Sequence, residues 1–324
     1  MRTPSNEDTL LKRIARAFPA SRSRAIALGI GDDAALLAPR PGRETILTCD
    51  WFLEGTHFLR DKHPARAVGW KCLARAMSDI AAMGGTPRCF LLSLALPPSH
   101  TGPWLTEFLD GLRRASRVYR CELAGGDTTR RSEILISITA VGDVAKRRAL
   151  LRSGARPGDR IFVSGTLGEA ERGLRHLRKM RGAVKSSDPL LRKHFYPEPR
   201  VALGQWLAGG RLATATMDLS DGLSSDLPRL CAASAVGARV DAVLLPLIPG
   251  AKKGEAMSLA LDGGDDYELL FTVAPKNLHR IPDKFHKVCL HNIGVITREK
   301  EVRLHSEGES IRSLRRGGWD PFRN

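Results

Sequence analysis

Acidic residues recur along the chain in short clusters, each next to Gly, Ser or Thr and each at the end of a predicted strand. The clusters lie at 29–33, 48–50, 78–84, 125–129, 218–222 and 263–266. Taken singly, such a cluster is often an Asx turn or a helix cap. The adjacent glycines favour another interpretation of the whole set, because glycine lets a backbone approach a ligand closely. A fold of this chain therefore has to accommodate carboxylates that gather at strand ends.

The charge balance makes these clusters more informative. The chain has 51 Lys and Arg against 35 Asp and Glu, a formal net charge of +16. Carboxylates that come together repel unless a cation neutralises them, and such oxygen ligands suit Mg²⁺, which usually bridges to substrate phosphates. The basic excess also favours anionic partners such as nucleic acid, anionic lipid or small phosphorylated ligands. Charge alone does not choose among these partners, and scattered basic residues are typical of a solvated surface.

Length and composition limit the class of protein. With 324 residues, 42% of them hydrophobic and 27% charged, the chain has the composition of a globular protein of about two domains. No uninterrupted apolar segment approaches ~18 residues, and the N-terminal residues lack the apolar core of a signal peptide. The cysteines form no CxxC pair, which is typical of a reducing compartment. We therefore expect a soluble, cytoplasmic protein with no membrane partner.

Hydrophobic periodicity predicts two α/β series. The first contains a helix with Leu10, Leu11, Ile14 and Phe18 on one face, strands at 45–49, 89–96 and 134–138, and helices after Pro64 and Pro103. The strand at 89–96 is apolar on both sides and is predicted to be central. The second series contains strands at 160–164, 238–244, 267–273 and 292–297, and helices from about Gly168 and Asp221. The basic, turn-rich stretch 146–158 separates them, which predicts domains at 1–147 and 148–324.

Several common catalytic motifs are missing from the sequence. There is no GxxxxGK[ST] P-loop, no protein-kinase HxRD with a downstream DFG, no GxSxG elbow and no HExxH or Cys/His zinc spacing. Gly165-Thr166-Leu167-Gly168 before a predicted helix could hold an anion, but alone it is a weak signal and a plain turn is the favoured interpretation. The acidic clusters are therefore the main pointer to chemistry.

These clusters, in their order along the chain, resemble a known family. The matching motifs are Gly31-Asp32-Asp33-Ala34-Ala35-Leu36, Gly55-Thr56-His57-Phe58, Ser78-Asp79-Ile80-Ala81-Ala82-Met83-Gly84, Gly126-Asp127-Thr128-Thr129, Arg152-Ser153-Gly154-Ala155, Asp218-Leu219-Ser220-Asp221-Gly222 and Asp266-Tyr267-Glu268-Leu269. From Gly29 to about Phe322 the chain resembles thiamine-monophosphate kinases, within the aminoimidazole ribonucleotide synthetase-like superfamily. The resemblance implies an α/β (α+β) protein of two domains, each a mixed sheet backed by helices.

The resemblance also implies an activity and its partners. The expected reaction is the ATP-dependent phosphorylation of thiamine monophosphate to thiamine diphosphate, by Mg²⁺-assisted in-line transfer. The N-terminal domain, 1–147, would bind ATP and Mg²⁺ and form a homodimer, and the C-terminal domain, 148–324, would complete the active site. A requirement for K⁺ is left open.

Residue roles follow from the same motifs. Several Mg²⁺ ions would be held by Asp32, Thr48, Cys49 through its backbone, Asp50, Asp79, Asp127, Asp218 and Asp221. ATP would contact Gly126, Asp127, Arg152 and Ser220, and thiamine phosphate would contact His57, Asp265 and Trp319. No general base is expected, because the acceptor phosphate is already an anion near neutral pH. Metal and phosphates would be aligned by Asp79, Asp127 and Asp218.

Three positions depart from the family's pattern, and two residues have simpler explanations. Cys49 stands where Ser or Thr is expected, Asp265 where Glu is expected, and Pro321 where His is common. His57 could be a loop-packing residue, and Trp319 could be a terminal hydrophobic plug. A sister enzyme such as aminoimidazole ribonucleotide synthetase remains an alternative. A basic nucleic-acid-binding protein is a second alternative, disfavoured because only the net charge supports it.

Overall fold

The protein is described by a computed structural model over residues 7–18, 26–28, 35–181, 184, 187–306, 312–314 and 317–320. The chain divides into two compact units. The first comprises Met1–Ile80, Thr86–Arg147 and Met180–Ser187, and the second comprises Ala81–Gly85, Arg148–Lys179 and Asp188–Asn324. None of the described helices is both long and apolar enough to cross a bilayer.

The first unit is a mixed sheet with helices on one face. Its elements are α1 (Glu7–Ala17), β1 (Ile26–Leu28), β2 (Leu36–Leu37), β3 (Arg43–Leu53), α2 (Ala65–Ala82, of which the last two residues belong to the second unit), β4 (Thr86–Leu96), α3 (Pro103–Tyr119), β5 (Glu122–Arg130) and β6 (Leu135–Ala145). The strand order is β3-β6-β4-β5, with β4 parallel to β5 and the other pairs antiparallel. The expectation of a mixed sheet backed by helices is confirmed here, and so is the central position of the 89–96 strand.

One face of this sheet is open. Phe90 and Leu92 of β4 are buried, but Leu91 between them is 39% exposed. On β3, Leu47 is 69% exposed and Trp51 is 57% exposed. On the second side of β4, Leu91 is therefore not covered by the described residues of this chain, and the same holds for Leu47 and Trp51 on β3. We call Leu47, Trp51 and Leu91 the open apolar face.

Helix α1 shows one wrong prediction about which residues face inward. Leu10 and Ile14 are buried, and Phe18 packs edge-on against Phe90 with 6.2 Å between ring centroids. Leu11 is 41% exposed, because it lies about 100° around the helix from Leu10. The buried stripe is narrower than predicted.

The second unit consists of a larger sheet with helices packed on both of its faces. Its elements are β7 (Arg160–Ser164), α4 (Glu169–Lys179), α5 (Arg192–Phe195), α6 (Val201–Gly210), β8 (Ala213–Leu219), α7 (Leu223–Ser234), β9 (Gly237–Asp241), α8 (Lys253–Asp262), β10 (Glu268–Val273), β11 (Lys284–Phe285), β12 (Val288–Thr297), β13 (Val302–His305) and β14 (Arg312–Ser313). The strand order is β14-β13-β9-β12-β7-β10-β8, and β11 pairs with β12. Leu223, Leu227 and Leu230 of α7 pack on one face of this sheet. Leu203 and Leu207 of α6 join the core on the other face.

The predicted strand 238–244 is too long. Strand β9 ends at Asp241, and residues Ala242–Leu244 form a 3-10 helix in which Val243 is 76% exposed. The pairing of β9 with β12 and β13 also ends by Asp241, so the apolar residues beyond it have no neighbouring strand. The strand prediction continued past Asp241, the last paired residue, because it relied on hydrophobicity alone.

The close contact between α2 and α3 generates a prediction about stability. A Cβ atom at Gly111 of α3 would overlap the carbonyl oxygen of Arg66 on α2. Gly111→Ala should therefore lower the free energy of unfolding by about 1–3 kcal/mol, the usual effect of overpacking. Gly209→Ala is the matched control, because nothing lies within 4 Å of a Cβ there; it should raise stability by up to about 1 kcal/mol. Thermal unfolding of both variants checks this, and a harmless Gly111→Ala would contradict it.

Candidate active site

In the first unit, β3 and α2 bring three of the predicted ligands together. Thr48, Asp50 and Phe52 are every second residue of β3, so their side chains lie on one face of the strand, the face that is directed at α2. The Thr48 hydroxyl donates a hydrogen bond to Asp79 of α2. Asp50 Oδ1 lies 3.9 Å from Arg75 Nη2, and the Arg75 guanidinium lies 5.5 Å from the centre of the Phe52 ring. The hydroxyl of Thr48 and the carboxylate of Asp50 on β3 therefore share one side of this sheet with the carboxylate of Asp79, which comes from a helix about thirty residues later.

The side chain of Cys49 lies on the opposite side of the same strand. Its Sγ atom is 3.4 Å from Ser137 Oγ and accepts a hydrogen bond of 3.5 Å from Thr139 Oγ1. Cys49 is exposed. Its thiol is thus directed away from Asp79, and a contribution to a metal site beside Asp79 would have to come from its backbone, as the resemblance implies.

Asp127 also lies away from Asp79. The register pairs Asp127 of β5 with Ser93 of β4, and Ser93 with Ser137 of β6. Residues paired in this way share a face, which here is the face of Trp51 rather than that of Thr48. The Asp127 carboxylate is exposed and accepts the N–H of Thr128 at 2.9 Å.

Gly126 is tightly constrained by its neighbour in the sheet. A Cβ atom at this position would overlap the carbonyl oxygen of Leu92.

Asp32 lies outside the described residues, as does Pro321.

His57 has a structural role in the turn after β3. Its ring Nδ1 atom accepts the main-chain N–H of Leu53 at 3.0 Å, and the main-chain N–H of His57 donates to the Leu53 carbonyl at 2.8 Å. The ring lies 5.8 Å from that of Phe52. These contacts support the loop-packing interpretation, without testing a contact to substrate.

In the second unit, the loop 218–222 follows β8 and leads into α7. Asp218 is buried at the end of β8. The N–H groups of Ser220 and Asp221 donate to Asp226 Oδ2 at 3.1 and 3.0 Å. Arg229 Nη1 bonds both Asp221 and Asp226, the latter at 2.8 Å. Burial, and then the charge of Asp221, raises the pKa of Asp226 to about 6.

The Asp265 segment is bonded to the same loop. Asp265 N–H donates to the Ser220 carbonyl at 2.8 Å, and Tyr267 N–H donates to the Leu219 carbonyl at 2.9 Å. Asp265 and Tyr267 both have positive φ, 67° and 52°, and the Tyr267 hydroxyl donates to Asp265 Oδ1 at 2.6 Å. Left-handed backbone at two non-glycine residues stores strain, a feature that often occurs at functional sites.

The described C-terminal residues reach the same loop from another direction. Trp319 N–H donates to the Asp221 carbonyl at 2.9 Å, and Gly317 N–H donates to Ser224 Oγ at 3.1 Å. A Cβ atom at Gly318 would overlap the Asp221 carbonyl. The Trp319 side chain is 46% exposed, so its indole is not buried as a hydrophobic plug among the described residues. The structure thus brings Ser220, Asp221, Asp265 and Trp319 together.

Arg152 is exposed in the segment before β7. Its carbonyl accepts the hydroxyl of Ser234 at 2.9 Å, which fixes its backbone near the end of α7. Contact between its guanidinium and ATP remains a prediction.

A buried ionic cluster surrounds Glu268, and its partners were not predicted from the sequence. The carboxylate of Glu268 is fully buried, with Lys193 Nζ at 2.5 Å, Arg200 Nε at 2.6 Å and the Ser164 hydroxyl at 2.5 Å. Burial opposes its ionisation, but Lys193 and Arg200 outweigh burial and lower the pKa of Glu268. The available signal was a charged residue at the head of an otherwise apolar strand.

A second buried carboxylate, Asp266, has a contact that the sequence did not predict, with the N-terminus of helix α4. It accepts the N–H groups of Gly168 and, at 3.1 Å, of Ala170. Burial raises the pKa of Asp266 to about 7, against the lowering effects of Lys193 and these N–H groups. The residues of the Asp266-Tyr267-Glu268-Leu269 motif thus organise the start of β10 and of α4.

The donor set is compatible with magnesium. Among the described residues, no three His, Cys, Asp or Glu side chains converge as a ready-made metal site. Mg²⁺ does not require such a cage, because it is usually bound by one or two carboxylates together with substrate phosphates and waters. The carboxylates of Asp79 and Asp221, with the hydroxyl of Thr48, are hard oxygen donors of the required kind.

Comparison with known proteins defines the class. The N-terminal domain of AIR synthase related proteins matches residues 31–144, and their C-terminal domain matches residues 156–307. The chain therefore has the two domains of AIR synthase related proteins, which confirms the predicted fold class.

More similar proteins define the family. Thiamine-monophosphate kinase of Escherichia coli K12 is 42% identical over 272 residues, 82% of each chain. The crystal structure of thiamine-monophosphate kinase from Stenotrophomonas maltophilia K279a has a TM-score of 0.81 at 38% identity, covering 93% of this chain and 96% of that one. A structure described as AaThiL complexed with AMPPCP and TMP has a TM-score of 0.75 at 31% identity, covering 99% of both chains. This chain belongs to the thiamine-monophosphate kinase family.

The Glu268 cluster generates a prediction about stability. Glu268→Gln leaves Lys193 and Arg200 without their buried counter-charge and should lower the free energy of unfolding by about 3–5 kcal/mol. Because the folded pKa of Glu268 is lowered, its contribution is complete above the unfolded pKa and is lost as the pH falls through the folded pKa. The variant should therefore lack that part of the acid dependence of stability.

The control is Glu301→Gln, which removes an exposed carboxylate paired with Arg303 and should leave stability unchanged within error. Denaturant titrations at several pH values provide the measurement. Equal stability of the two variants would show that the Glu268 cluster contributes nothing beyond a surface ion pair.

Proposed function

We propose that this protein transfers the γ-phosphate of ATP to the phosphate of thiamine monophosphate, producing thiamine diphosphate and ADP. The observation that carries this proposal is the match over 99% of the chain to a structure described as complexed with AMPPCP and TMP. The relatives named thiamine-monophosphate kinase, 35–42% identical over more than three quarters of the chain, support it. The sister-enzyme and nucleic-acid alternatives have no comparable support.

The chemistry requires no proton acceptor in the protein. The acceptor phosphate is already anionic, so the protein has to overcome repulsion between two polyanions and align them. A bound Mg²⁺ would neutralise phosphate charge and bridge phosphate oxygens. Thr48, Asp50 and Asp79 would hold metal in the first unit, and Asp218 and Asp221 in the second. Asp32, Asp127 and the backbone of Cys49 are further candidate ligands, and K⁺ remains open.

The proposed substrate contacts also come from both units. Gly126 and Asp127 would contact ATP in the first unit, and Arg152 and Ser220 in the second. Thiamine phosphate would contact His57, Asp265 and Trp319. The Asp265 carboxylate is already fixed by the Tyr267 hydroxyl, so a shorter side chain than the expected Glu is held in a defined direction. A cytoplasmic location is part of the same proposal.

The activity is tested with ATP, Mg²⁺ and thiamine monophosphate as the only substrates, followed by identification of products. Asp79→Asn removes a charge that must hold metal against phosphate, so it should lower kcat by about a hundredfold or more while the circular dichroism spectrum stays unchanged. The exposed Asp283 provides the control, and Asp283→Asn should retain full activity. ATP hydrolysis without thiamine diphosphate would reject the proposal, and an active Asp79→Asn variant would reject the metal assignment.

We further propose that the open apolar face is covered by a second copy of the chain. Leu47, Trp51 and Leu91 together expose apolar surface on one side of a sheet, which is typical of an interface. Trp51→Lys should convert the dimer into a monomer at micromolar concentration, as measured by light scattering. Val243→Lys is the control, because Val243 is 76% exposed but lies in the second unit, and it should leave the mass unchanged. A monomeric wild-type protein would contradict the proposal.

A further inference from the structure

A single nitrogen atom of Arg229 joins two carboxylates beside the 218–222 loop. Arg229 Nη1 donates to Asp221 and, at 2.8 Å, to Asp226 Oδ1. Asp226 and Arg229 are one helical turn apart on α7, so their contact is local. Asp221 lies before the helix, and Arg229 reaches it across the first turns of α7. The Arg229 guanidinium therefore already forms an ion pair with the Asp221 carboxylate, which is a candidate metal ligand.

The two carboxylates differ in how firmly they are held. Asp226 is fully buried, and its second oxygen accepts the N–H groups of Ser220 and Asp221. The Asp221 side chain is 24% exposed and that of Arg229 is 38% exposed. Solvent can therefore reach the Asp221 carboxylate and the Arg229 guanidinium, while the Asp226 carboxylate stays inside the protein.

The backbone of Asp221 is fixed independently of its side chain. Its N–H donates to Asp226, and its carbonyl accepts the N–H of Trp319 at 2.9 Å. Loss of the bond to Arg229 would leave both of these main-chain bonds in place. The Asp221 carboxylate can therefore change partners without rearrangement of the loop.

We propose that Arg229 is a positioning residue that competes with the divalent cation for Asp221, so that metal binds this carboxylate tightly only when nucleotide phosphates are also present. The proposal rests on the function proposed above, because that function makes Asp221 a metal ligand. A cation at Asp221 would lie next to the guanidinium and be repelled by it. Phosphate oxygens supply the additional attraction that displaces Arg229 towards Asp226 and solvent.

The competition has a direct consequence for metal affinity. Without nucleotide, Arg229→Gln should bind Mn²⁺ about tenfold more tightly than the wild type, which is within the usual range of interaction energies between groups in contact. The gain in Mn²⁺ affinity should be smaller when a non-hydrolysable ATP analogue is present, because the phosphates of the analogue already favour displacement of Arg229 from Asp221. Arg229→Lys keeps the charge and should bind Mn²⁺ like the wild type.

Mn²⁺ affinity is measured from the free ion by electron paramagnetic resonance, with the full-length protein and each variant, with and without the analogue. Arg239→Gln is the matched control: it removes an exposed arginine from the same unit and should not change Mn²⁺ affinity. Asp221→Asn combined with Arg229→Gln should abolish the gain. Thermal unfolding gives a second readout, because the Arg229→Gln protein should melt lower without metal and be stabilised more by Mn²⁺.

The outcomes separate this inference from the proposed function. Unchanged Mn²⁺ binding by Arg229→Gln would overturn the competition, and weaker binding would overturn it and mean that Arg229 orients Asp221 for the metal. If that result came with normal thiamine diphosphate formation by the wild type, the function would stand and the inference would fall. If the wild type made no thiamine diphosphate but Arg229→Gln bound Mn²⁺ more tightly, the function would fall and the competition for Asp221 would stand.

Discussion

Carboxylates that are removed from water need hydrogen-bond donors or cations, and this requirement organises the candidate site in each unit. In the first unit, Asp79 takes the hydroxyl of Thr48. In the second, Asp226 takes two main-chain N–H groups and a guanidinium nitrogen. Main-chain and side-chain donors constrain the protein differently. Main-chain donors fix the loop that they belong to, whereas side-chain donors such as Thr48 and Arg229 can rotate away from the carboxylate without moving the backbone.

Much of the fold could be predicted from hydrophobic periodicity, because most core strands carry long apolar runs. The predicted strand 267–273 is β10 to within one residue. The strand predicted at 134–138 continues as β6 to Ala145. In this continuation Gly142 and Asp143 interrupt the apolar alternation, and pairing with β3 and β4 holds them in the sheet. Tertiary context, which periodicity does not contain, set both that boundary and the early end of β9.

The position of Asp127 shows what motif and alternation together could not predict. The register between β4 and β5 shifts after Phe90, which pairs with Leu123, so that Leu91 pairs with Gly125 and Ala124 is an extra residue. One extra residue transfers every later side chain to the other face of a sheet. Without this bulge, Asp127 would lie on the face of Thr48. The sequence identified a candidate residue type at this position, but the direction of its side chain depends on a pairing irregularity.

The loop at 218–222 was predictable as a cluster of acids, whereas its connections were not. Its carbonyl groups accept N–H groups from Asp265, Tyr267 and Trp319, which follow it by roughly fifty to a hundred residues. Candidate metal ligands and candidate substrate contacts therefore share one short backbone segment. A shift of that segment would move both sets at once. Because these bonds join main-chain atoms, side-chain substitutions at Asp221, Asp265 and Trp319 leave them in place, so the segment keeps both sets in position whichever partner each side chain takes.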